Sequence, residues 1–387
     1  MKTKQLWRGF LSSIIPFLDI KRAYQVYGHL LEEAVVRVLK SGQYLNGPET
    51  EALERELSQY LGVRYAVGVS SGTEALYLIL KALDLPKGSY VLLPSFTFVA
   101  TCEVVVRAGL IPHFVDVEAE SGNISPQALE EAYSVLISQG RQVSAVIAVS
   151  IFGIPARLRE IAEFCAKRGL YLIEDICQAF GAELEGKKVG TFGIASATSF
   201  YPTKTLSCAG DGGMVFTHDE KLAQKIRILK EHGQTGSYYY EYHGVNGRID
   251  EIQCAILRVK FQYFQREKTL RADLASFYEE ELRKIPQVRL LVPPHGSNPN
   301  YSIFSIRAEK RDALRAFLER NGIYTRIYYP LPLHLQPVYR ELKFKEGDLP
   351  ETEALCREIL SLPFYPYLKL EEAKRVVEMI EAFYEAG

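Results

Sequence analysis

The shortages of this sequence narrow the field before any motif does. Lys plus Arg number 46 against 47 Asp plus Glu, so there is no surplus of either sign to steer the chain onto nucleic acid. The cysteines, at positions 102, 165, 177, 208, 254 and 356, form no CxxC pair and have no His at zinc-finger spacing. Cys102, Cys165 and Cys254 sit in helix-like apolar stretches, and all six read as reduced thiols of a cytoplasmic protein. A chain of 387 residues buries enough core to need no disulfide staples. No apolar run reaches the ~18 residues of a membrane span. No GxGxxG follows the first strand, which counts against a nicotinamide dehydrogenase. No internal repeat and no low-complexity tract appears.

What remains is a soluble globular composition, 47% hydrophobic with charges spread throughout, long enough for two domains. The opening MKTKQLWRGFLSSIIPFLD joins an early basic pair to an apolar stretch. Arg8 interrupts that stretch and no small-residue cleavage site follows, so residues 1–14 are expected to be an extension of unknown purpose.

Helical spacing over 32–61 is broken by the Gly-rich stretch Gly42–Pro48, which predicts two helices around a loop. From about 65 to 217, short apolar runs follow: YAVGV, YVLLP, IPHFVDV, VSAVIAVSI, LYLIED, ATSF and GGMVFT. Amphipathic stretches such as 156–169 fall between several of them. That alternation predicts a mainly parallel sheet covered on both faces. Residues 219–233 and 249–285 read as long helices. After Pro293-Pro294 a second βα pattern begins with YSIFSI, RDALRAFLERNG and IYTRIYYP, and a last helix covers 370–385. The expected division is a large domain over 15–265 and a smaller one over 266–387.

Three places carry candidate chemistry. Ser70-Ser71-Gly72-Thr73-Glu74 lies between a strand and a helix, where exposed N–H groups and the helix dipole suit a phosphate. Alone, it reads first as an ordinary N-cap by Ser71 or Thr73. Asp175 ends LYLIED, at the carboxyl end of a strand, where open α/β sheets place their ligands. Alone, it reads first as a helix cap for the following turn. Lys204, in SFYPTK, follows another strand and reads as a surface charge or as a Schiff-base amine. Together they match the parts that pyridoxal phosphate needs. A lysine holds the aldehyde, a carboxylate keeps the pyridine nitrogen protonated, and a helix N-terminus binds the phosphate.

The ordered segments IPFLDI, SGQYLNGPE, VSSGTEAL, PSFTFVAT, IEDICQAFGA, GTFGIASATSFYPTKTL, GDGGMV, GVNGRIDEIQCAIL, YYPLPLHLQPVY and LSLPFYP resemble the DegT/DnrJ/EryC1/StrS group of sugar aminotransferases over about residues 15–385. The resemblance implies an α/β fold of the aspartate-aminotransferase type (fold type I), with a large mixed-sheet domain and a smaller C-terminal α/β domain. It implies pyridoxal 5'-phosphate as cofactor. By position, Lys204 resembles the Schiff-base lysine and proton carrier, and Asp175 the partner of the ring nitrogen. Gln178 would touch the ring hydroxyl. Phe98 would stack on the cofactor, although alone it reads as a core aromatic. Gly72, Thr73 and Glu74 and the hydroxyl of Ser199 would hold the phosphate. Asn246 resembles a residue that reaches the phosphate from a neighbouring subunit, which implies a homodimer with shared sites.

For substrate, the resemblance points to Tyr201, Arg248, Tyr328, Tyr329 and His334, with Tyr44 and Asn46 nearby. Arg248 reads equally as an ion-pair partner, and His334 as a satisfied structural histidine. Phe180, Tyr328 and Ser302 stand where many members have His, at positions expected to lie by the sugar and nucleotide. The implied reaction moves an amino group from an amino acid, glutamate first, to a nucleotide-linked keto-sugar in amino sugar biosynthesis. SFYPTK and GDGG look more like members acting on 3-keto sugars than on 4-keto sugars. The rivals are a dehydratase of the same group, in which His replaces the lysine, and a regulatory protein that keeps the fold without turnover.

Overall fold

In a computed structural model that describes residues 14–386, the apolar runs become a seven-stranded sheet. Its strands are β1 (Tyr65–Val69), β2 (Tyr90–Pro94), β3 (Ile111–Val115), β4 (Val143–Val149), β5 (Tyr171–Asp175), β6 (Ala195–Ser199) and β7 (Gly213–Thr217). Their order is β1-β7-β6-β5-β4-β2-β3. The pairs β2/β3, β2/β4, β4/β5 and β5/β6 are parallel, while β7 runs antiparallel between β1 and β6. The sheet is therefore mixed by one reversed strand.

Helices α1 (Ile20–Ser41) and α2 (Pro48–Leu61) come first. Between strands lie α3 (Gly72–Leu83), α4 (Ala100–Arg107), α5 (Pro126–Ser138) and α6 (Leu158–Arg168), with α7 (Glu220–Leu229) after the last. Side chains alternate between two cores along each strand, as the pleat requires. Leu92, Val146 and Leu172 enter one core, and Val91, Ala145 and Ile173 the other. Each fully buried Leu, Ile or Val contributes about 1.5–3 kcal/mol, so it is this double-sided burial that fixes the strand ends.

Helix α8 (Glu251–Leu282) links the sheet to the C-terminal part. Phe264 packs in the first core, whereas Leu274, Tyr278 and Leu282 pack in a third. That third core serves a small antiparallel sheet of β8 (Val288–Leu290), β9 (Ser305–Ala308) and β10 (Ile359–Ser361), with α9 (Arg311–Arg320), α10 (Pro350–Glu358) and α11 (Leu370–Glu385). Two details differ from the sequence reading. Ile15, expected to open the large domain, bridges Ile323 and packs in the C-terminal core. IYTRIYYP makes only isolated bridges, and the third strand comes instead from Ile359–Ser361. The segment 1–14 falls outside the described residues except for Ile14. All six cysteines are free. Among the described residues, no helix is long and apolar enough to cross a membrane.

Candidate active site

The carboxyl ends of β1, β5 and β6 lie together at one edge of the sheet, where the candidate site falls. At the first, Ser71 caps α3: its hydroxyl accepts from Glu74 N at 3.0 Å. The plain cap reading is therefore realised. The helix itself offers the N–H groups of Gly72 and Thr73 no acceptor, so they remain for a ligand. A Cβ on Gly72 would stand 2.7 Å from Ser199 Cβ and 3.0 Å from Cys177 Sγ. Glycine is required there because the turn lies directly against the ends of β5 and β6. Glu74 turns its carboxylate away, to Arg107.

Asp175 is 6% exposed. Its carboxylate accepts from Thr101 Oγ1 at 3.0 Å and from Cys177 N at 3.1 Å. Both donors are neutral, and among the described residues no ion pair reaches it. Lys204 is half-buried in a loop tied down by Phe200 N to Gly212 O and Cys208 N to Phe200 O, both 2.8 Å. The thiol of Cys177 reports the two charges together. Burial pushes its pKa well up, the Asp175 carboxylate adds to that, and the Lys204 ammonium opposes it.

Gln178 is anchored at both ends. Its Oε1 accepts from Phe152 N at 2.8 Å, and its Nε2 donates to the Tyr329 hydroxyl at 3.4 Å. Burial raises the Tyr329 phenol pKa, with the Asp175 charge adding to it and the Gln178 amide opposing. Phe98 is 55% exposed, with its ring 6.5 Å from that of Tyr329. Its neighbour Phe96 is the core aromatic instead, at 1%. Tyr201 is exposed; burial raises the pKa of the Tyr328 phenol, with the nearby Tyr201 adding to it.

Four further positions were expected by the substrate. His334 is enclosed, with Nδ1 2.8 Å from Ser95 Oγ and Nε2 3.1 Å from Glu353 Oε1. Both ring nitrogens are engaged, as the structural alternative requires. Phe180, expected beside the substrate, is 2% exposed and stacks on Phe216 in the sheet core. Ser302 donates its backbone N–H to Phe152 O at 2.9 Å. Arg248 is ion-paired, Nη1 to Glu231 Oε2 at 2.8 Å. Asn246 is exposed on the same turn, which touches the α3 side of the site through Ser70 N to Gly247 O at 2.9 Å. Thr101 and Cys177 belong to the site and were not picked out from sequence. Thr101 lies in PSFTFVAT and Cys177 two residues beyond Asp175, so both were inside segments already singled out.

The pattern of the DegT/DnrJ/EryC1/StrS aminotransferase family matches residues 27–381. The chain belongs to this family. A "Pleiotropic regulatory protein" of Geobacillus stearothermophilus is 39% identical, covering 96% of this chain and 98% of the relative. A dTDP-3-amino-3,4,6-trideoxy-alpha-D-glucose transaminase of Streptomyces venezuelae is 37% identical, covering 96% of each. The crystal structure of NtdA from Bacillus subtilis with bound cofactor PMP superposes with a TM-score of 0.88 at 28% identity, covering 97% of this chain and 86% of that one. This member of the family is a pyridoxal-phosphate-dependent transaminase with the fold-type-I architecture its sequence resembles.

The residues present fit that cofactor. A buried carboxylate with only neutral donors suits a protonated ring nitrogen. A capped helix start with two N–H groups left over, beside the Ser199 hydroxyl, suits a phosphate. The site they form includes Lys204.

Proposed function

We propose that this family member moves an amino group from an amino acid, glutamate first, to a nucleotide-linked 3-keto sugar. The observation that carries the reading is that Cys177 lies against the α3 turn at Gly72, donates its backbone N–H to Asp175 and feels the charge of Lys204. Pyridoxal phosphate, when bound, supplies an aldehyde for the amino group and a ring that accepts the electrons released at the substrate carbon.

The chain's own residues do the rest. The Lys204 amine would hold the cofactor aldehyde and, as an acid/base, would move the proton at the reacting substrate carbon. Asp175, fixed by Thr101 and Cys177 N, keeps the ring nitrogen protonated. Gly72 and Thr73 N–H and the Ser199 hydroxyl would hold the phosphate, while the Glu74 N–H is engaged by the Ser71 cap. Gln178 keeps a second amide hydrogen for the ring hydroxyl. Phe98 covers one face of the ring, which explains an aromatic left half in solvent. Tyr201, Tyr328 and Tyr329 wall the sugar side.

Support for a 3-amino product comes from SFYPTK and GDGG, and from the name of the Streptomyces venezuelae relative. The homodimer is supported by an apolar groove of about 370 Å³ lined by Tyr24, Leu31, Val36, Ala209 and Ile256. Ala209 stands five residues past Lys204, so a subunit seated there would abut the site loop. The regulatory name of the Geobacillus relative prompts a non-enzymatic alternative. Retention of both Lys204 and Asp175 speaks against it.

The test is a panel of nucleotide-linked 3-keto and 4-keto sugars with glutamate as donor. Product amines are identified by mass and NMR, with Lys204→Ala as the inactive control. Amination of the 3-keto compounds is expected. Turnover of 4-keto compounds alone would overturn the assignment of position.

A further inference from the structure

Two loops near the site, far apart in sequence, are joined by two carboxylates. Glu231 accepts from Asn46 Nδ2 on Oε1 and from Arg248 Nη1 on Oε2, both at 2.8 Å. Its backbone also bridges Asn246. Beside it, Glu251 is 1% exposed and caps α2. It accepts from Gly47 N and Thr50 N at 2.9 Å, from Glu49 N at 2.8 Å, and from the Thr50 hydroxyl. Glu251 N donates in turn to Tyr44 O at 2.9 Å, and Leu45 bridges Asp250.

The local sequence meets the demands of this joint. Asn46 has φ 49°, a left-handed backbone that Asn tolerates better than most residues. A Cβ on Gly47 would lie 2.7 Å from Glu251 Oε2, so only glycine lets the carboxylate in. Loop 44–47 and turn 245–250 are thereby one body. On that body Tyr44, Leu45 and Asn246 are exposed. Arg248 Nε is buried without an acceptor. Since Glu231 takes Nη1 and Nε has no acceptor within the chain, the fork of Nε and Nη2 keeps bonding capacity of the kind that suits two phosphate oxygens at once.

We propose that Glu231 is a positioning residue for transamination. It locks Asn46 to Arg248 so that the 44–47 loop and the 245–248 turn form one arm, whose Arg248 edge meets the diphosphate of the sugar substrate in the neighbouring subunit. The proposal rests on the shared-site homodimer proposed above. Glu231 touches neither cofactor nor substrate.

The test uses the holoenzyme of Glu231→Gln and, as a second variant, Asn46→Asp, which sets a like charge against Glu231. Each is expected to raise KM for the nucleotide sugar about tenfold. The spectral response to glutamate alone, the half-reaction without sugar, should be unchanged. A change in both half-reactions alike, or no change in KM, overturns the role of Glu231. Hybrid dimers of Glu231→Gln with Lys204→Ala then separate the two ideas. Their one competent site pairs an intact Lys204 with an intact arm from the other subunit, so KM should return to the wild-type value. A raised KM that the hybrid does not rescue places the arm within its own subunit. That result removes the trans part of the proposal together with the shared-site reading.

Discussion

Asp175 occupies a position that is costly unless something cationic meets it. A carboxylate at 6% exposure with two neutral donors has been desolvated without a counter-charge. A protonated ring nitrogen, the partner proposed for Asp175, would make this arrangement favourable. Asp175→Asn keeps the size and the bond to Thr101 but removes the charge. It is expected to lower kcat by roughly 10²–10³-fold, the scale for loss of one preorganised electrostatic partner, while cofactor still binds. A kcat within twofold of wild type would reduce Asp175 to a cap. At this scale the charged and glycine positions were legible in sequence, because the chemistry demands those residue types. Aromatic roles were not. Phe96, Phe98 and Phe180 carry the same side chain, yet Phe98 is half exposed while the other two fill cores.

The elements themselves were largely legible, since strand burial on both faces leaves continuous apolar runs that few other structures produce. Contacts between distant elements were not. The Asn46–Glu231–Arg248 junction and the His334 clamp depend on tertiary placement that no local pattern encodes. His334 ties the 333–335 turn to the end of β2 through Ser95 and to α10 through Glu353. Burial lowers its pKa, partly offset by the Glu353 carboxylate. With the folded pKa below the unfolded one, the unfolded chain binds more protons between the two values. Stability from this group is therefore present above the unfolded pKa of ~6.5 and falls as pH drops below it. The melting temperature should decline from pH 7 to pH 5, with a shallower decline in His334→Gln. Equal slopes in the two proteins would show that His334 does not contribute to that decline.

For the whole molecule, the proposed assembly turns on the outer face of α1, where Tyr24, Val36 and Leu39 are 51%, 45% and 50% exposed. Apolar side chains this exposed, beside a groove, mark a contact surface. Val36→Glu leaves the buried face of α1 untouched, so it should fold as wild type yet sediment as a monomer with little activity. A fully active monomer would contradict the role given to Asn246. We propose the domain division at 265/266. The cores do change partner along α8 between Phe264 and Leu274, but Ile15 shows that the chain's start crosses to the far side.

Every role assigned to the site depends on Lys204 holding the cofactor aldehyde. Borohydride reduction of the cofactor-loaded protein, followed by peptide mapping, tests this directly. The account predicts a single reduced pyridoxyl adduct on the peptide that contains Lys204. An adduct on another lysine, or an unmodified Lys204 in protein that retains the cofactor, would contradict it.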